Sequence, residues 1–207
     1  MNELSALILA GGKATRLGGV AKHALLVDGE PILARQARVL APRVAEILVS
    51  CAFVGRDLDR PAAPPNGGAG VIDVPGYRTV RDAVPDAGPL AGIAAGLAAA
   101  TTSWLLVVAG DMPDLRGEVI DLLCAPTELD ATGIRIGGLA EPLLCVLRVA
   151  VFRPIAHARL ARGDAKVSRL LEDHARVRWL DEAALRAVDP QLRSLRNINT
   201  AADYAGA

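Results

Sequence analysis

Aromatic residues are nearly missing from this sequence: two each of Phe, Trp and Tyr make up 3% of 207 residues. Stacking platforms for single-stranded nucleic acid need several rings, so that class of function is excluded. Excess charge of either sign is also missing, since 23 Lys and Arg balance 23 Asp and Glu. A bulk basic field for DNA or RNA is therefore absent, and no nucleic-acid partner is expected. Cysteine is scarce. Cys51, Cys124 and Cys145 are too widely spaced for a zinc knuckle or a CxxC pair, and runs such as LLCAP and PLLCVL read as reduced core thiols of a cytoplasmic protein. His23, His157 and His174 do not cluster either. The start, MNELSALILAGG, has no basic region and too short an apolar run for a secretory signal.

Apolar residues are plentiful, at 52% with a mean hydropathy of +0.32. That is ample for a core, it excludes intrinsic disorder, and the length suits one α/β domain. From Asp86 to Asp111 the intervening residues carry no charge, a run long enough to cross a bilayer. Pro89 and the Thr101-Thr102-Ser103 break divide it into an Ala/Gly-rich helix and a buried strand, so no membrane partner is expected.

Elsewhere short apolar runs alternate with helical patterns. Leu4–Ala10, Ala45–Ala52 and Trp104–Ala109 read as parallel strands covered on both faces. Val71–Val74, Arg78–Arg81, Asp130–Ile136, Leu143–Arg148 and Arg176–Leu180 are further strands, with Gly137-Gly138 turning between two of them. Pro31–Leu40, Pro89–Ala100, Gly117–Cys124, Ala150–Ala161, Ala165–Asp173 and Glu182–Ala187 read as helices, and 55–70 as a Pro/Gly-rich loop. The order predicts a single α/β domain with a mostly parallel, doubly wound sheet and helices on both faces, with one antiparallel strand late in the sheet. Ligands then sit where the loops leave the carboxyl ends of the strands.

Four such loops carry chemistry. In LAGGKATRLGGVAKHALLVDGEPIL, no acid occurs between Leu4 and Val27, while Lys13, Arg16 and Lys22 stand among four glycines. Glycine lets backbone N–H groups approach an anion, and fixed cations add to phosphate binding. A Gly-rich turn with solvated basic residues explains the pattern as well, and the spacing matches neither a Walker loop nor GxGxxG. In VVAGDMPDL, Asp111 follows a buried strand where a phosphate-bound cation needs an oxygen ligand, Gly110 leaves room for a phosphate, and Asp114 reads as a helix cap. In RDAVPDAGPLAGIAAGL, Asp82 and Asp86 precede Gly88 and a helix start, and Asp86 reads as its cap. In LRNINTAADYAGA, Asn197 and Asn199 precede a helix capped by Thr200, as ligands or as a plain capped turn.

Together these stretches resemble the molybdenum cofactor guanylyltransferase family of nucleotidyltransferases. LAGGKATRLGG with Lys22, RDAVPDAGPLAGI, GDMPDL and NINTAADY run nearly the whole chain in family order. Ala21 stands where the family usually has Asp, and Ala109-Gly110-Asp111 where it has Pro-Cys-Asp. The resemblance implies a Rossmann-like nucleotidyltransferase fold and transfer of GMP from GTP to the phosphate of molybdenum-bound molybdopterin, with loss of pyrophosphate. It implies Mg²⁺, or Mn²⁺ in its place, at Asp111, and triphosphate binding by Leu9, Ala10, Gly11, Gly12 and Lys22, with Arg16 favouring the leaving group. Ser50, Asp82 and Gly88 would line the nucleoside, and Asn197 and Asn199 the acceptor. The nucleotide half is then about 1–115 and the acceptor half about 116–207. Basic residues late in the chain, among them Arg153, Arg159, Arg176 and Arg178, are either solvated helix charge or contacts for the anionic cofactor or recipient molybdoenzymes. A CTP-using relative, a sugar- or polyol-phosphate nucleotidyltransferase, and a non-catalytic nucleotide- or cofactor-binding accessory protein remain open alternatives.

Overall fold

Leu4–Leu9 (β1) is apolar on both faces because it runs through the middle of the sheet. The structure is a computed structural model that describes residues 3–10, 25–51, 77–82, 84 and 87–198. In it β1 pairs in parallel with Glu46–Cys51 (β4) on one side and with Trp104–Ala109 (β6) on the other. Tyr77–Arg81 (β5) adds in parallel to β4 as the edge. Beyond β6 lie Leu139–Arg148 (β8), Ala131–Ile136 (β7) and Val177–Leu180 (β9), giving the seven-stranded order β5-β4-β1-β6-β8-β7-β9. β8 is antiparallel to both its neighbours, so the late antiparallel strand is present. Leu26–Val27 (β2) and Glu30–Pro31 (β3) form a separate small hairpin.

Two apolar layers cover the sheet. Leu7 and Leu9 face Pro89–Ala99 (α2), Val149–Ala161 (α4) and Ser168–Glu172 (α5) through Leu90, Ile93, Leu97, Phe152 and Leu170. Ala6 and Ile8 face Ile32–Leu40 (α1), Gly117–Leu123 (α3) and Glu182–Val188 (α6) through Leu33, Leu40, Ile120, Leu123 and Leu185. Full burial of each such side chain contributes roughly 1.5–3 kcal/mol, more than an exposed ion pair, so these layers set the fold. The Ala/Gly-rich segment forms α2 because small residues let a helix lie directly on the strands. A Cβ at Gly96 would sit 2.5 Å from Leu7 Cδ2. Among the described residues, no helix is long and apolar enough to cross a membrane.

Several local expectations change. β8 begins at Leu139 rather than Leu143, and Gly137 and Gly138, both at positive φ, make the tight turn from β7. The helix expected over 165–173 shortens to Ser168–Glu172. Buried Arg159 binds Asp164, Asp173 and the Arg169 carbonyl, and this shapes a turn in place of the first helical residues. Arg153 donates to the Leu97 carbonyl, Arg176 to Asp130, and Arg178 to the Leu122 and Leu123 carbonyls. These four arginines tie elements together, which makes structure the better account of them. Cys145 is buried and Cys124 half-buried, and burial pushes both thiols up to about 12, as core thiols require. The 55–70 loop, Val71–Val74, Asp86, His23 and the helix after Thr200 lie outside the described residues.

Glu46 locks the amino ends of three strands. Its carboxylate accepts from the Ser5 hydroxyl on β1, Arg78 on β5, and both the N–H and hydroxyl of Thr101. Burial pushes this carboxyl up, but the hydrogen bonds from Thr101, Arg78 and Ser5 outweigh it and bring it from 4.5 down to about 2. A depressed folded-state pKa gives stability that is complete above the unfolded value and is lost as pH falls toward 2, on the order of 3 kcal/mol at most. Urea unfolding should therefore find Glu46→Gln less stable than the parent at pH 6, with the gap closing toward pH 2. A gap independent of pH would contradict this.

Candidate active site

The winding of the sheet reverses between β1 and β6, because β4 and β5 lie on one side of β1 and β6 on the other. Open α/β sheets bind ligands in the crevice at such a point, beyond the carboxyl ends of the strands. Leu9 and Ala10 end β1 there. The Ala10 N–H donates to the Ser50 carbonyl at 3.0 Å, and the Gly110 N–H donates to the Leu9 carbonyl at 3.1 Å. A Cβ at Gly110 would lie 2.6 Å from that carbonyl oxygen. The glycine thus makes room for the backbone of β1.

On the β4 side, Ser50 is buried, and its hydroxyl donates to Asp82 Oδ1 at 3.1 Å just past the end of β5. Burial pushes the Asp82 carboxyl up, and the Ser50 hydrogen bond partly offsets that. Gly92 of α2 packs against Ser50, where a Cβ would fall 2.4 Å from Oγ. The helix starts at Pro89 behind Gly88, whose φ of 72° suits glycine. Ser50, Asp82 and Gly88 therefore gather around one mouth, with Asp82 aimed by Ser50.

On the β6 side stands Asp111. Its backbone carbonyl accepts the Ile198 N–H at 2.9 Å, which lays the carboxyl-terminal segment, and Asn197 with it, along the Asp111 turn. The Asn197 side-chain oxygen is buried without a hydrogen-bond partner. Glu141 is a residue that sequence reasoning missed. Continuing the Val108–Leu144 register past its last pair aligns Asp111 with Glu141. Burial pushes the Glu141 carboxyl up, the Leu143 N–H partly offsets this, and the charge of Asp111 raises it further. The hard oxygens of the Asp111 carboxylate, with the charge of Glu141 nearby, suit a Mg²⁺-like cation. Asp114 is not a helix cap. Arg116 occupies that position without a side-chain cap bond, and Asp114 instead pairs with Arg196 at 2.8 Å and Arg35 at 3.8 Å. Gly11, Gly12, Arg16, Lys22 and Asn199 lie outside the described residues.

A cavity of about 480 Å³ lies at the opposite, amino-terminal end of the strands, walled by Trp104, Leu123, Cys124 and Pro126. It holds none of the loop residues above, so the switch-point crevice is the better candidate.

Comparison with known proteins bears on the family and the fold. The family profile described as "MobA-like NTP transferase domain" matches residues 6–177. A molybdenum cofactor guanylyltransferase of Pseudomonas putida is 34% identical over 169 residues, 81% of each chain. One from Cereibacter sphaeroides is 31% identical over 207 residues, 99% of this chain and 95% of that one. In fold, the chain is similar to molybdopterin-guanine dinucleotide biosynthesis protein A of Archaeoglobus fulgidus, with a TM-score of 0.77 at 22% identity over 98% and 95% of the two chains. It is also similar to the 2-C-methyl-D-erythritol 4-phosphate cytidylyltransferase of Thermus thermophilus, with a TM-score of 0.65 at 18% identity over 99% and 96%.

The Gly110 contact is with backbone, which cannot swing aside. Gly110→Ala should therefore cost about 1–3 kcal/mol by overpacking. Urea unfolding checks it, and an unchanged midpoint would contradict the close approach of the two strand ends.

Proposed function

The chain belongs to the MobA-like NTP transferase family, and from that membership and this crevice we propose that it transfers GMP from GTP to the phosphate of molybdenum-bound molybdopterin, releasing pyrophosphate. The observation that carries the reading is that Asp82 follows β5 and Asp111 follows β6, both at the carboxyl ends of the strands and on opposite sides of β1. An oxygen of the acceptor phosphate attacks the α-phosphorus in line, the bond to the β-phosphate oxygen breaks, and pyrophosphate leaves. Little covalent chemistry is asked of the protein, so positioning and charge stabilisation carry the rate.

Each residue then has a task. Guanine presents N1–H and its 2-amino group as donors, and the Asp82 carboxylate, held by Ser50, is the acceptor for them. Gly88 leaves the approach to the nucleoside open, since nothing among the described residues stands within 4 Å of where its Cβ would be. The Leu9–Gly12 stretch would hold the triphosphate, an assignment that rests on the LAGGKATRLGG motif. Lys22 holds the phosphates and Arg16 favours the charge on the leaving group. Their assignment rests on the LAGGKATRLGG motif. Asp111 would hold Mg²⁺, with Mn²⁺ as a substitute, and the ion, when bound, would supply positive charge against the leaving pyrophosphate. Asn197 and Asn199 are assigned to the acceptor from the NINTAADY motif. The two halves, about 1–115 for the nucleotide and 116–207 for the acceptor, work as one domain. The setting is the cytoplasm, where the product passes to molybdoenzymes by transient contact.

Asp111→Asn keeps the shape and a neutral oxygen while removing the negative charge. It should fold normally and lose several orders of magnitude in pyrophosphate release from GTP, with only partial rescue by raised magnesium or manganese. Retained turnover would make Asp111 a turn residue.

A further inference from the structure

Gln36 is an anomaly in the middle of an apolar layer. It lies on α1, is fully buried, and is flanked on its own face by Leu33, Ala37 and Leu40. Its Nε2 uses both protons, donating to the Ala109 carbonyl at 2.7 Å and the Met112 carbonyl at 3.0 Å. Its Oε1 is buried without a partner. An amide buried at such a cost is stable only where its donors satisfy something that an apolar side chain could not. Here they satisfy the two carbonyls that bracket Gly110 and Asp111.

We infer that Gln36 is a positioning residue that clamps the 109–112 turn and so aims the Asp111 carboxylate. The neighbouring Arg35 extends the same clamp. Its guanidinium donates to the Pro113 carbonyl and to the Val27 carbonyl, both at 3.2 Å. The Ile32 N–H donates to the Leu25 carbonyl at 3.0 Å, so the start of α1 also holds the segment that follows the Lys22 loop. One helix thus gives the Asp111 turn and the exit of the glycine loop a common anchor. Two bonds from a single amide leave the turn little freedom to rotate, which an oxygen ligand for a cation requires. The inference rests on the reading of Asp111 given above.

Gln36→Met keeps the length and the burial and removes both donors. Loss of a group that orients a ligand typically lowers metal affinity or activity about 10–100-fold. The expected result is a folded protein with kcat down and the magnesium concentration for half activity raised within that range, while KM for GTP changes little. Two further readouts do not depend on turnover: Mn²⁺ binding with GTP present, followed by electron paramagnetic resonance, should weaken, and amide exchange across 109–112 should accelerate. Should Gln36→Met melt below assay temperature, Gln36→Glu, which leaves at most one donor for two carbonyls, carries the same measurements. A folded variant with unchanged Mn²⁺ affinity and unchanged kcat overturns the clamp while leaving the Asp111 assignment intact. Wild-type turnover in Asp111→Asn overturns that assignment and the clamp's purpose together.

Discussion

The close approach of two strand ends is the constraint on which this molecule depends. The Leu9 carbonyl accepts the Gly110 N–H, and the two backbones meet because residue 110 has no Cβ to hold them apart. That contact closes the sheet at its switch point, directly beneath the crevice. It sets where the glycine loop departs after Ala10 and where the Asp111 turn begins, so the groups proposed for triphosphate and cation leave from adjoining points. With a bulkier residue at 110 the loops would start further apart, however well each was formed on its own.

Packing and polar contacts divide the remaining work. The two apolar layers around Leu7 and Ile8 fix the sheet as a rigid platform. Polar side chains then act at the ends of strands, where the layers give out. Glu46 gathers the amino ends of β1, β4 and β5, and Ser50 and Gln36 hold Asp82 and the Asp111 turn at the carboxyl ends. Electrostatics there are sharp: Asp82, Asp111 and Glu141 place three carboxylates at one end of the sheet with burial raising two of them. Such a mouth favours cationic and hydrogen-bond-donating ligands, and a guanine edge and a phosphate-bound cation provide those two kinds.

What could be read from sequence was what depends on local pattern. β1 and β6 were legible because strands covered on both faces are unbroken apolar runs, and α2 because an uncharged Ala/Gly segment behind a proline has a helical start. The antiparallel strand was legible through its Gly137-Gly138 turn. Contacts made by distant partners were not. Glu141 aligns with Asp111 only by continuing the β6–β8 register, and no motif marks it. Gln36 looks like an ordinary polar position on an amphipathic helix until the carbonyls it meets are seen. Asp114 has the spacing of a cap, yet Arg35 and Arg196, from opposite ends of the chain, claim its carboxylate. The helix over 165–173 gave way to the ring of partners around Arg159, a long-range ion cluster that helical periodicity does not register.

The central claim is that this crevice selects guanine for transfer, and competition among nucleotides tests it most directly. Purified protein would be given equal GTP, CTP, ATP and UTP with magnesium and molybdenum-bound molybdopterin, and the base joined to the pterin would be read by mass spectrometry. A site that hydrogen-bonds the guanine edge through Asp82 should reject bases that leave the carboxylate unpaired, so guanine dinucleotide should exceed every other product by orders of magnitude. Predominant cytidine or uridine product would contradict the account even with the fold and the Asp111 site intact.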